Sequence, residues 1–289
     1  MGALPQMAKS TTGARSRDRL RKHPVAVFVA VTFLISYGLG MPALFMVGAW
    51  APGIHDVAEL YLGRAFVVIG PACGAVAAVA ATSSSSAVRP FLRRRLLSPV
   101  RWWALFLPPT ALALVVTAYA AAGSSAASLA AAIAGAWPLL LAHFLLQALT
   151  VGIGEEMGWR GWLLPTLAIR QGQGRAVLVT GVIWYFWHVP ILLGGVNDAF
   201  WFALAIGGLS ILLSLLWVRS TGSAVLPAIA HGSINAPIVF FSAVLPQADH
   251  QLAWRILAGM LAVLGLIALL CARGRWTTAP APIQPGVEA

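Results

Sequence analysis

SLAAAIAGAWPLLLAHFLLQALTVGI, residues Ser128–Ile153, contains no charged side chain and exceeds the roughly 20 apolar residues that an α-helix needs to cross a bilayer. It is followed directly by GEEMGWRGWLLP, residues Gly154–Pro165, in which two glutamates and an arginine interrupt an apolar sequence. No residue between Gly154 and Leu164 forbids helix, so the span can continue as far as Pro165. The first stretch predicts a membrane-spanning helix, and the second places charges where they need an explanation.

The same apolar pattern recurs along the chain. Of its 289 residues, 60% are hydrophobic and 9% are charged, which excludes an ordinary soluble domain. We predict an all-α, polytopic integral membrane protein with a basic N-terminal tail at 1–22, one helical membrane domain at 23–274 and a Pro-rich, disordered tail at 275–289. The predicted transmembrane helices are eight, at residues 24–49, 65–82, 102–122, 128–153, 176–195, 200–218, 223–245 and 253–272.

The distribution of cations predicts the orientation. If the N-terminus is cytoplasmic, all of the 19 Lys and Arg residues except Arg64 and Arg255 fall on the cytoplasmic side. Both termini are therefore expected in the cytoplasm. Because orientation beside anionic lipid already accounts for most of the net charge of +11, we expect the lipid bilayer and not a nucleic acid as the partner of these cations.

Two basic segments allow more than one interpretation. The first apolar run is too long for a cleaved signal peptide and is interpreted as a retained anchor, with an organelle presequence as the alternative for the Arg-rich start. Arg89–Leu96 is interpreted as a solvated cytoplasmic segment, with a short interfacial helix as the alternative.

Polar residues inside a bilayer are candidates for function, because burying a charge there costs at least about 2.5–3.5 kcal/mol. Among the acids, only Glu155 and Glu156 lie against or within a predicted span. Three short motifs on late helices contain such residues. They are EExxxR with Glu155, Glu156 and Arg160, WYFWH with Trp184 and His188, and HGSIN with His231 and Asn235.

The spacing of the first motif separates the two glutamates. Residues four apart share a helical face, so Glu156 can pair with Arg160, while Glu155 points about 100° away and stays free. For Arg160, a role as a cytoplasmic-side cation at a helix end is the alternative.

The other two motifs follow the same rule. His231 and Asn235 project from one face, and Trp184 lies beside His188. We expect both histidines and Glu155 to meet in a cavity open to the cytoplasm, although Asn235 by itself would also suit an ordinary hydrogen bond between helices.

A further intramembrane histidine fits a structural role. His143 precedes Gln147 by one helical turn, and both are interpreted as hydrogen-bonding groups between helices.

These residue types suit hydrolysis. Glu155 can act as general base on a water that attacks a peptide carbonyl, while histidine and the Asn235 amide stabilise the oxyanion. Alternatively, Glu155, His188 and His231 form a zinc set with an open fourth position. The sequence has no HExxH or GxSxG motif and no Asp inside a predicted span.

The ordered motifs resemble those of the CPBP (Abi) intramembrane proteases, whose eukaryotic members are the type II CAAX prenyl endopeptidases. The resemblance covers about residues 139–241 and implies that Glu155 activates water, supported by Glu156 and Arg160. It also implies that His188 helps to hold that water and that His231 and Asn235 form the oxyanion site. Trp184 stands where the family usually has Phe, which puts the shape of the substrate pocket in doubt. Family members are described both as metalloproteases and as metal-free glutamate proteases, so the cofactor stays open, with zinc as the candidate.

The sequence thus predicts an intramembrane endopeptidase that cleaves a membrane-associated or lipidated substrate near its C-terminus. The Ala- and Arg-rich, Lys-poor composition is typical of a GC-rich bacterial genome and favours a bacterial inner membrane, with the site facing the cytoplasm. The alternatives are a non-catalytic scaffold or bacteriocin self-immunity protein, and a proton-coupled transporter. The oligomeric state is left open.

Overall fold

A computed structural model describes residues 22–43, 46, 57–193, 198–220, 222–246 and 250–272, and of residues 57–60 and 190–193 it describes the backbone only. The described residues form helices and no strand, which confirms the predicted all-α membrane class. Most of both predicted tails, 1–22 and 275–289, lies outside the described residues.

The α-helices are numbered here in chain order. They are α1 Pro24–Phe33, α2 Val57–Val68, α3 Gly70–Thr82, α4 Val88–Leu96, α5 Leu107–Ala121, α6 Ala126–Leu146, α7 Ile153–Gly158, α8 Leu164–Gln171, α9 Gln173–Leu193, α10 Ala199–Arg219, α11 Val225–Val244 and α12 His250–Cys271. Three π-helical segments continue or join them, at Leu34–Gly40, Gln147–Gly152 and Trp159–Leu163. A 3₁₀ turn at Trp102–Phe106 leads into α5.

Seven helical runs among the described residues are long and apolar enough to cross a membrane. They correspond to seven of the predicted spans. The remaining predicted span, 176–195, forms α9 but is not among the seven, and its last two residues lie outside the described part of the chain. The total of eight spans therefore stays a prediction, as does the orientation.

The fourth predicted span is longer than its boundary at Ile153. Helix extends from Ala126 to Gln171, and non-helical backbone angles at Ala136 kink it just before Pro138. The helix also continues past Pro165. This proline lies in the first turn of α8, directly after a π-helical turn, where a backbone N–H is not needed for the helical hydrogen bonds. Glu155 and Glu156 are consequently inside a continuous helix and not at its end.

Glycines bring this helix into backbone contact with its neighbours. A Cβ on Gly154 would lie 2.7 Å from the Val68 carbonyl oxygen, and one on Gly158 would lie 2.5 Å from Pro71. On another side, a Cβ on Gly152 would lie 2.4 Å from the Ala228 carbonyl oxygen. Small residues that permit such close approach are the usual means of helix packing in lipid, where burial of apolar surface gives little driving force.

The basic segment at Arg89–Leu96 is helical and forms most of α4. Arg95 is buried, and its guanidinium donates a hydrogen bond of 2.8 Å to the Gly222 carbonyl at the turn between α10 and α11. Burial, followed by the nearby charge of Arg94, lowers the pKa of Arg95 to about 10, so it is still protonated at neutral pH. The other arginines of α4, Arg89, Arg93 and Arg94, are exposed.

Candidate active site

The two glutamates of α7 are buried and have different partners. Glu156 Oε1 accepts a hydrogen bond of 2.9 Å from Arg160 Nη1, and neither side chain is exposed. The predicted pairing across one helical turn is therefore observed. Arg160 also donates to the Ser210 carbonyl of α10 at 3.5 Å.

Glu156 also holds the histidine of α11. His231 Nδ1 lies 2.9 Å from the same Oε1 atom, in the orientation in which a ring N–H donates to a carboxylate. A histidine fixed through Nδ1 presents Nε2 in a defined direction. Glu156 therefore binds side chains from two elements, His231 of α11 and Arg160 of the π-helical turn after α7.

Glu155 is bound by two indole groups. Its Oε2 atom accepts hydrogen bonds from Trp184 Nε1 at 2.7 Å and from Trp159 Nε1 at 3.3 Å. Its Oε1 atom accepts no hydrogen bond from the described residues and is not sealed from solvent. One carboxylate oxygen is thus fixed and the other is available to a water.

Trp184 lies at the centre of the site. Besides its bond to Glu155, its ring makes edge-to-face contacts with His188 at 5.7 Å and His231 at 5.3 Å, measured between ring centroids. The Arg160 guanidinium lies 4.4 Å from its centroid, within range of a cation–π interaction. The expectation that Trp184 affects only pocket shape is incomplete, because its N–H, which Phe lacks, binds the candidate general base.

His188 is oriented by its own helix. Its Nδ1 atom lies 2.8 Å from the Trp184 carbonyl oxygen one turn earlier, so Nδ1–H donates and Nε2 carries the lone pair. His188 is half-buried, and Nε2 has no partner among the described residues and is not sealed from solvent. His231 is buried, but its Nε2 atom likewise has no partner among the described residues and is not sealed from solvent.

Asn235 is the one predicted site residue that makes no hydrogen bond or ring contact with the others among the described residues. It lies one turn after His231 on α11 and is half-buried, and its amide makes no hydrogen bond with any residue that the structure describes. Neither amide atom is sealed from solvent. Its placement beside His231 follows from helical spacing, as the sequence indicates.

Sequence reasoning missed Trp159 as a partner of Glu155. The signal was present, because Trp159 follows Glu155 by the same four-residue spacing that links Glu156 to Arg160. His143 behaves as interpreted: its Nδ1 atom lies 2.8 Å from the Tyr61 hydroxyl, which ties α6 to α2.

A preformed zinc site is not present in the described part of the chain. No three His, Cys, Asp or Glu side chains there lie close enough together to hold a metal ion. In particular, Glu155, His188 and His231 do not lie close enough together to form the expected ligand set. The residues in this arrangement do not fit the metal.

The part of the chain that contains the candidate site is similar to known proteins. Residues 136–237 match a family model described as type II CAAX prenyl endopeptidase Rce1-like. The resemblance to this family is confirmed. The matched segment contains the three motifs, from Glu155 to Asn235, and lies close to the core expected at 139–241.

One curated relative is CAAX prenyl protease 2 from Methanococcus maripaludis. It is 28% identical over an alignment of 92 residues, and the alignment covers 28% of this chain. The chain covers 34% of that relative's length.

Proposed function

We propose that this protein is an intramembrane endopeptidase in which Glu155 activates water against a peptide bond. The observation that carries the proposal is the pattern of free atoms at the site. Glu155 Oε1, His188 Nε2, His231 Nε2 and the Asn235 amide have no partner among the described residues, and none is sealed from solvent. Buried polar groups are normally paired, so these unpaired atoms, three of them on residues that contact Trp184, support a place for water and substrate here.

The reaction begins with proton transfer to Glu155. Its Oε1 atom takes a proton from a water held with the help of His188, and the water oxygen attacks the carbonyl carbon of the scissile peptide. The carbonyl π electrons move to oxygen, and the oxyanion receives hydrogen bonds from Asn235 and His231. Collapse of this intermediate breaks the C–N bond, and Glu155 returns the proton to the leaving amine.

Glu156 and Arg160 have a supporting role in this proposal. The oxyanion role requires His231 with both ring nitrogens protonated, so that Nδ1–H binds Glu156 and Nε2–H faces the oxyanion. Two carboxylates, Arg160 and the His231 imidazolium then balance in charge, which limits the cost of burying them. The substrate is a membrane-associated or lipidated peptide or protein, cleaved near its C-terminus from the cytoplasmic side of a bacterial inner membrane.

The test uses the purified full-length chain and a prenylated peptide with a fluorophore and quencher on either side of the scissile bond. Glu155→Gln should lower kcat/KM by about 10²–10⁴-fold, the usual contribution of a general base. Asn235→Ala should lower kcat by about 10²–10³-fold, as expected for loss of an oxyanion donor.

A matched control is available in the membrane domain. His143→Gln removes a buried histidine that binds Tyr61 away from the site, and it should cleave at nearly the wild-type rate. Cleavage by Glu155→Gln at the wild-type rate would remove the basis of the proposal. Protection of cells against a peptide toxin that survives Glu155→Gln would favour the scaffold or self-immunity role.

A further inference from the structure

A cavity lies between α5, α10, α11 and α12, and none of the predicted site residues lines it. Its volume is about 730 Å³, within the range of small-molecule sites, and its walls are almost entirely apolar. Residues from all four helices line it, among them Leu114, Leu209, Ile234 and Leu261. This cavity is called the α5–α12 groove below.

The groove is elongated along the helix axes. One end is formed by Trp103 just before α5, Arg219 at the end of α10 and Cys271 at the end of α12. The lining continues inward to Leu114, Leu209 and Leu261, about ten residues along each helix, or roughly 15 Å. That depth is half of the roughly 30 Å hydrocarbon core and equals the reach of an acyl chain from one leaflet.

The charge of the groove is confined to one end. Arg219 is its only charged lining residue, is exposed and makes no ion pair or hydrogen bond with any residue that the structure describes. By the predicted orientation this end is cytoplasmic, where anionic headgroups lie. A guanidinium is suited to phosphate, which it can bind through two parallel hydrogen bonds.

We propose that the α5–α12 groove binds an anionic phospholipid, with an acyl chain between the helices and the phosphate on Arg219. The apolar lining and its depth match the chain, and the single free cation at the headgroup level matches the phosphate. Basic pockets between transmembrane helices at the cytoplasmic side bind such headgroups by the same physics. A zwitterionic lipid carries no net charge for Arg219 to attract.

The bound lipid would touch the helix that carries part of the candidate site. Ala230 and Ile234 line the groove, and each immediately precedes a predicted site residue, His231 and Asn235 respectively. The lipid therefore packs behind this part of α11. The binding proposal does not depend on proteolysis, and Glu155→Gln should bind the lipid as the wild type does.

Cys271 gives a direct readout of occupancy. It lines the groove next to the charged end and is exposed, and the chain has only 2 cysteines, so Cys73→Ala leaves it as the single thiol. The delipidated full-length Cys73→Ala protein in detergent is mixed with dioleoylphosphatidylglycerol or dioleoylphosphatidylcholine at equal mole fraction. The rate of maleimide addition to Cys271 is then followed by intact-protein mass spectrometry.

Phosphatidylglycerol should slow the labelling about fivefold more than phosphatidylcholine, the factor expected from one arginine beside anionic lipid. Arg219→Gln should remove this difference, whereas the matched control Arg175→Gln, an exposed arginine at the start of α9, should keep it. Leu212→Trp, which fills the groove, should lower protection by either lipid, with the thermal midpoint recorded to show that the variant is folded.

Four outcomes would overturn the proposal. Equal protection by both lipids would mean that the groove holds bulk lipid without selection. Retention of the difference in Arg219→Gln, or its equal loss in Arg175→Gln, would show that Arg219 is not the headgroup site. Absence of protection by both lipids would show that the groove is not occupied by a phospholipid chain.

Discussion

At the scale of single residues, Trp184 distinguishes this site from the family pattern. A phenylalanine at this position would keep the ring contacts with His188 and His231 but could not donate to Glu155. The indole fixes Oε2 at 2.7 Å and so leaves Oε1 to face the water. In this chain the aromatic residue of the second motif is therefore a positioning residue for the candidate base.

Trp184→Phe tests this role. A hydrogen bond to a charged group contributes about 1.5–3 kcal/mol, and Trp159 still holds the same oxygen, so we expect kcat/KM to fall by roughly tenfold. The fall should lie mainly in kcat, because Glu155 would be misaligned in the transition state while the substrate pocket stays apolar. The measurement is steady-state cleavage of the prenylated fluorogenic peptide.

Trp187→Phe is the matched control. Trp187 is buried on the same helix, and its N–H donates to Ser36 Oγ at 3.0 Å and not to a carboxylate. Phenylalanine keeps an aromatic ring against His188 and Trp159, which the Trp187 ring contacts. Its replacement should lower the thermal midpoint but leave kcat nearly unchanged. If the two variants have the same kcat, the bond from Trp184 to Glu155 has no part in positioning the base.

Helical spacing predicted some contacts of the site and could not predict others. The Glu156–Arg160 pair and the Trp184–His188 contact lie within one helix, so the sequence positions determine them. The bonds from Trp184 to Glu155 and from His231 to Glu156 join different helices. Which rotamer and which carboxylate oxygen they use depends on helix rotation and depth, which a single sequence does not specify.

At the scale of helices, two glycines set the distance between the halves of the site. A Cβ on Gly152 would lie 2.4 Å from the Ala228 carbonyl oxygen, and one on Gly232 would lie 2.5 Å from the Ala148 amide nitrogen. The contact is thus reciprocal between α11 and the π-helical segment before α7. It fixes His231, next to Gly232, at the distance at which Nδ1 reaches Glu156.

Gly232→Ala should separate these two helices. A real Cβ does not approach backbone nitrogen at 2.5 Å, so one backbone must shift, at a cost of about 1–3 kcal/mol for overpacking. We expect a thermal midpoint lower by several degrees and a loss of kcat of more than about tenfold, since a shift of about 1 Å disrupts catalytic geometry.

Gly259→Ala on α12 is the control, because a Cβ there would meet no atom within 4 Å. Alanine has the higher helix propensity, so this variant should be as stable as the wild type or slightly more stable. Equal behaviour of the two variants in thermal unfolding and cleavage would contradict the role given to Gly232.

Helix existence was easier to predict than helix ends. The apolar runs matched seven described spans, because each run is long enough to cross a bilayer only as a helix. The fourth span was expected to end by Pro165, but the π-helical turn at Trp159–Leu163 moves this proline into a new first turn. A local change of helical period of this kind leaves no signal in hydropathy.

At the scale of the whole molecule, the pairing of Arg255 with Asp198 is consistent with the predicted orientation. Arg255 is one of the two cations that the predicted orientation places outside, and it binds Asp198 through two nitrogens, with Arg255 Nη2 2.9 Å from Asp198 Oδ1. The hydrogen bond from Arg255 lowers the pKa of Asp198, so the pair persists to pH values below the usual range of an aspartate. An ion pair at the helix ends removes the net charge that would otherwise oppose this orientation.

The orientation can be measured with single cysteines in a Cys73→Ala, Cys271→Ala background. Ser85, in the turn between α3 and α4, is exposed and predicted to be cytoplasmic, and Ala126, at the start of α6, is exposed and predicted to be on the opposite side. In right-side-out cells, a membrane-impermeant maleimide should modify Ala126→Cys and not Ser85→Cys, and inverted vesicles should reverse the result. Detergent-lysed membranes, in which both cysteines should react, control for accessibility. Labelling of Ser85→Cys from outside would show that the orientation is the reverse of the predicted one. The substrate would then reach Glu155 from the other side of the membrane, and the lipid bound by Arg219 would come from the other leaflet.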